Sequence, residues 1–66
     1  MISINDRTYS HRPDMSLYEL LIQDNVDIHD AVLITLNGSL VRKESYGETI
    51  LNDGDNVLVI RVSTGG

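Results

Sequence analysis

Apolar and polar residues alternate at the start of the chain, where Ile2 and Ile4 flank Ser3. A period of two predicts a strand with two different faces. Asn5-Asp6 is turn chemistry, because both residues tolerate left-handed backbone and bond their own turns. Thr8, Tyr9 and Ser10 then suit a returning strand, which makes a hairpin. Pro13 closes it, since proline cannot donate to a ladder.

The period changes after Pro13. Leu17, Leu20 and Leu21 recur at i, i+3 and i+4, the spacing of one helix face. Ser16 stands three residues before Glu19, the spacing of a capping box, and Met15 and Leu20 occupy the staple positions. The pattern predicts a helix from 17 to about 24. Two turns of helix do not persist alone in water, so the leucine face must lie on a sheet.

Val32 to Leu36 reads as a third strand, ended by the turn dipeptide Asn37-Gly38. Leu40 and Val41 begin a short fourth strand. The polar stretch 43–48 predicts a loop or one short helical turn. Asn52 to Asn56 concentrates turn residues around Gly54. Val57 to Val62 is the last strand and the most apolar stretch of the chain. One helix on one face of a small mixed sheet of four to five strands is an α+β arrangement.

The last strand poses a problem of coverage. Val57, Leu58, Val59, Ile60 and Val62 are apolar on both faces, which suits a sheet covered on both sides. The chain supplies one helix. Either loops cover the second face, or one apolar row meets a partner. Arg61 shares a row with Val57 and Val59, which favours Leu58, Ile60 and Val62 as the buried row.

Length and composition narrow the function. The chain has 66 residues, no cysteine, and a formal charge of −5 from ten acidic and five basic residues. A domain near 60 residues buries only about 60% of its unfolded surface, which leaves little room for a deep substrate cleft. A self-contained enzyme is not expected. Without cysteine there is no disulfide framework, thiolate metal site or cysteine nucleophile. No apolar run approaches the roughly 18 residues of a membrane span, and Met1 does not open an export signal, so the cytoplasm is expected. The acidic balance argues against nucleic acid and for partners with a basic groove.

Several titratable groups are weighed and set aside. Asp24, Asp27, Asp30 and His29 lack the spacing of a calcium loop and read as a solvated acidic helix end. Asp53 and Asp55 read as turn formers. His11 and His29 have no nucleophile to serve and read as surface residues. No glycine-rich phosphate loop is present.

The chain ends Ser63-Thr64-Gly65-Gly66. Terminal small residues often have no role. Two glycines can also enter a channel too narrow for other residues. Four residues reach at most about 14 Å, enough to carry the terminal carboxylate into another protein's active site. An ATP-using partner could convert that carboxylate to an acyl-adenylate.

At this point the sequence resembles the ThiS family of sulfur carriers, which belong to the β-grasp, ubiquitin-like proteins. Asn37-Gly38, Val41, Lys43 and Tyr46, then Thr49, Leu51 and Asp53-Gly54-Asp55, follow the family's order and spacing. The last strand and Gly65-Gly66 complete it, and Ser16 to Leu21 matches the helix start. Lys43 stands where arginine is commoner, and Thr64 where glycine or alanine often precedes the final pair.

The resemblance implies a β-grasp domain over 1–62 and a flexible tail over 63–66. It implies a carrier that is not itself an enzyme and holds no metal or bound cofactor. An E1-like enzyme, ThiF, would use ATP to adenylate the carboxylate of Gly66. Sulfur would then replace AMP as a thiocarboxylate, and thiazole synthase, ThiG, would accept it to build the thiazole of thiamine. Gly65 and Thr64 would form the access tail. Alignment from the terminal glycines places Leu58, Ile60 and Val62 on the partner face, against the hint from Arg61, and this assignment is adopted. Lys43 joins the partner face. Tyr46 is assigned to it too, with anchoring of the loop on the core as its other reading. Three alternatives remain: a molybdopterin synthase small subunit, a ubiquitin-like modifier of lysines, and an interaction module whose glycines are idle.

Overall fold

The computed structural model describes residues 1–29 and 32–62. Two strands come first, β1 (Ile2–Ile4) and β2 (Arg7–Tyr9), followed by the helix α1 (Leu17–Gln23). Then come β3 (Val32–Leu36), β4 (Ser39–Val41), a 3-10 turn (Lys43–Ser45) and β5 (Asn56–Arg61). The five strands form one mixed sheet in the order β2-β1-β5-β3-β4. β5 lies centrally, parallel to β1 and antiparallel to β3. The predicted α+β class is the observed one.

The turns form where their residues demand. Asn37 and Gly38 both have positive φ, 52° and 87°. Mirror-image hairpin turns need that backbone, and its twist matches the strands. Asn37 also binds sideways. Its side-chain oxygen accepts from the Asn56 N–H at 2.9 Å, and its amide donates to Asp55 at 3.0 Å. The turn between β3 and β4 thereby fixes the start of β5.

Ser16 caps α1 as predicted, its hydroxyl accepting from the Glu19 N–H at 3.2 Å. The Glu19 carboxylate pairs with Arg12. Two more donors of the first turn bond the loop after β4. The Leu17 N–H reaches the Thr49 carbonyl at 2.7 Å, and the Tyr18 N–H reaches the Tyr46 carbonyl at 3.1 Å. Donors orphaned by the helix start are thus satisfied across the fold. The helix stops at Asn25, which has φ 60°. The Val26 N–H returns to the Leu21 carbonyl and the Asn25 N–H to the Ile22 carbonyl, a Schellman arrangement.

Leu17, Leu20 and Leu21 join Ile2, Ile4, Ile34 and Val57 in one core, together with Met15, Tyr46 and Leu51. Tyr46 is a correction to the partner assignment: it is only 4% exposed. It belongs to the core cluster, and its carbonyl accepts from the Tyr18 N–H at the helix start, so the loop after β4 is anchored inward. Asp24 is a second correction. It is buried at the helix end, where its carboxylate meets Arg7 and accepts from the Tyr9 hydroxyl. Carboxylate at the negative end of a helix dipole needs such partners. His11 is partly buried, with its ring nitrogen 3.0 Å from the Leu51 carbonyl. No described helix is long and apolar enough to cross a membrane.

Candidate functional site

Strand register settles which row of β5 is covered. Ile4 stands beside Val57, and Ile34 is paired with Val59. That row points into the core: Val57 is fully buried and Val59 packs against the same cluster. Leu58 and Ile60 therefore face away from the helix, as the alignment from the terminal glycines expected. The hint from Arg61 fails because Arg61 ends the strand and stays exposed on the inward row, where it lines a hollow with Asp24 and Asn25 at the helix end.

The outward row does not stand alone. Leu33 pairs with Ile60, and Thr35 pairs with both Leu58 and Leu40. Leu33, Leu40, Leu58 and Ile60 thus share the bare face of three adjacent strands, and Val62 continues the row. Their exposures run from 40% for Ile60 to 62% for Leu40. Contiguous aliphatic surface of this kind marks contact sites. Leu33 and Leu40 were missed by the sequence reading. The signal for Leu33 was there: Val32 to Leu36, like β5, is apolar at both parities. Leu40 lies in a strand too short to show a period.

Lys43 is exposed in the 3-10 turn after β4. Val41 is level with Ile34, and Ile34 with Val59. The chain beyond Val41 therefore leaves the sheet at the end towards which β5 runs. Lys43 and Val62 therefore lie towards the same end of the sheet. Tyr46 does not join them. Thr64, Gly65 and Gly66 lie outside the described residues, as does Asp30.

Perturbed groups lie on the covered side or at loop ends, away from this face. The hydrogen bond to Asp24, helped by burial, pushes the Tyr9 phenol up, while Arg7 opposes it. Burial, then the Glu44 carboxylate, raises Tyr46. The N-terminal ammonium of Met1 holds Asp53 below the usual carboxylate range. Among the described residues, no three His, Asp or Glu side chains converge as metal ligands. An open groove of about 750 Å³ runs between β2 and α1, lined by Tyr9, Tyr18 and Ile22 among others. Its rim charges, Arg12 and Glu19, pair with each other at 3.4 Å. The bare apolar face suits protein binding better than small-molecule chemistry.

The chain was also compared with known proteins. The sequence model of the ThiS family matches residues 2–66. A crystal structure of a thiamine biosynthesis protein (ThiS) from Geobacter metallireducens superposes with a TM-score of 0.79 at 27% identity. That match covers 98% of this chain and 97% of the other. A solution NMR structure of a thiamine biosynthesis protein from the same organism gives 0.73 at 27% identity, covering 98% and 86%. None of the curated proteins compared matches the sequence.

Proposed function

The chain belongs to the ThiS family, and from that premise we propose that it carries sulfur for the thiazole of thiamine on the α-carboxylate of Gly66. The observation that carries the reading is the family match through residue 66, which includes the terminal Gly65-Gly66. The β-grasp fold shared with the Geobacter protein supports it, as does the bare apolar face that ends at Val62.

The chemistry follows from the carboxylate. A carboxylate resists nucleophiles, so an E1-like partner of the ThiF kind first transfers AMP to it from ATP and releases pyrophosphate. Sulfur then attacks the acyl carbon and AMP leaves, giving a thiocarboxylate. Where the donor is a persulfide, a further thiol cleaves its S–S bond. Thiazole synthase, of the ThiG kind, takes the sulfur. ATP binds the activating partner, and this chain presents the terminus, without a cofactor, in the cytoplasm. Leu58, Ile60 and Val62, with Leu33 and Leu40, give the partner an apolar footing, and Lys43 stands at its tail end. No cysteine is present, so sulfur held covalently as cargo rides on the terminus.

Intact mass tests the reading. Incubation with ATP, a sulfide source and a cognate activating enzyme should raise the mass by one sulfur-for-oxygen exchange. A chain lacking Gly66 should stay unchanged. An unmodified full-length chain, under conditions that thiocarboxylate another carrier, would overturn the proposal.

A further inference from the structure

β5 is gripped unequally on its two edges. Towards β3 it is paired from Val57 through Arg61. Towards β1 the strand pairing ends at Ile4 beside Val57. The next residue, Asn5, has φ 52°, so the backbone of β1 is already turning away into the hairpin. Its N–H still reaches the Val57 carbonyl at 3.0 Å. Its side chain reaches further: the Asn5 oxygen accepts from the Val59 N–H at 2.8 Å. One side chain therefore continues the ladder by one bond after the strand itself has ended.

We propose that Asn5 is a positioning residue for the carrier tail, fixing the direction in which β5 delivers the segment that ends at Gly66. The inference rests on the sulfur-carrier reading and deepens it. Val59 is the inward residue just before Ile60, Arg61 and Val62, after which the chain runs on to Gly66. A carboxylate that must enter a partner's active site needs its root held in one direction, because any freedom left there is lost on binding. Asparagine suits the position twice over. It tolerates left-handed backbone, and its side chain has the reach of a peptide group.

The test separates backbone from side chain. Asn5→Gly keeps the positive φ and removes the acceptor. Asn5→Asp keeps an acceptor oxygen. With activating enzyme and ATP, Asn5→Gly should raise KM for the carrier roughly three- to tenfold, the worth of one hydrogen bond, and leave kcat unchanged. Asn5→Asp should restore most of the KM. Amide exchange at Val59 should quicken in Asn5→Gly and recover in Asn5→Asp. If Asn5→Gly fails to fold, an amide-to-ester replacement at Val59 removes the donor instead and should show the same split. A thiocarboxylated wild type with an unchanged KM in Asn5→Gly would sink the positioning role alone. An equal loss in Asn5→Gly and Asn5→Asp would also sink it. A wild type that is never modified would sink the sulfur-carrier reading and the positioning role with it.

Discussion

Val57 and Leu58 are consecutive, aliphatic and in the same strand, yet Val57 is fully buried and Leu58 is 45% exposed. The same contrast runs across the sheet. Ile2, Ile4 and Ile34 on one face are sealed under the leucines of α1, while Leu33, Leu40 and Ile60 on the other meet solvent. Composition does not distinguish the two faces; coverage does. The one helix covers one face of the sheet, and among the described residues the second apolar face lies open. Exposed aliphatic surface carries an aggregation risk, and surface of this kind marks contact sites.

The sharpest way to break the comparison is to place the same charge on each face. Val57→Asp buries a carboxylate in the core cluster, level with Ile4 and Leu36. A cost of several kcal/mol takes most of the stability of so small a domain. The expected outcome is loss of the cooperative thermal transition in circular dichroism. A native-like melt of Val57→Asp would show that the covered face is looser than its exposure indicates.

This contrast also explains what the sequence could and could not reveal. Turns were legible because Asn37-Gly38 and Asn52 to Asn56 carry their backbone requirements in their residue types. The helix start was legible from Ser16 and Glu19. Both are local signals. Parity in β5 was not local. Arg61 pointed the wrong way, because a charge at a strand end escapes the core whichever face it belongs to. Only alignment from the terminal glycines corrected it. Tyr46, Asp24 and Asn5 were illegible for a related reason. Each depends on residues distant in sequence: Tyr46, left between two readings, on burial in the core cluster, Asp24 on Arg7 and Tyr9, Asn5 on the Val59 N–H. Asn25 was readable as a left-handed helix stop, and its signal was passed over.

A smaller effect is expected at the rim of the covered face, where Tyr9 donates to the buried Asp24. The phenol is raised above its ordinary value of 10.0 by that bond. A folded-state pKa above the unfolded one means that folding favours the protonated phenol. Its contribution is therefore complete below about pH 10 and is lost as pH climbs through the raised value. Tyr9→Phe should lower the urea midpoint at neutral pH, and the gap from wild type should close above pH 10. Tyr46 titrates in both chains, so the difference isolates Tyr9. A gap that stays constant through the alkaline range would mean that the loss reflects packing and not the hydrogen bond to Asp24.

The smallest effect on stability belongs to the bare face, and it sharpens the comparison most. Ile60→Asp puts a carboxylate where Ile60 is 40% exposed, opposite Leu33. Water solvates the charge, so the expected cost is at most about 1 kcal/mol, the span of strand propensity. The melt should stay cooperative and the circular dichroism unchanged. Binding to the activating enzyme should fall at least tenfold, because the charge would have to be desolvated at the centre of an aliphatic contact. Leu40→Asp, at the edge strand, should weaken it less, since water still reaches a rim. The pair of variants separates two meanings of exposed aliphatic surface. A graded loss of binding with both folds intact identifies the face as a contact with Ile60 near its centre. Retained binding in both would leave the face without a partner and move the contact to the groove beside α1.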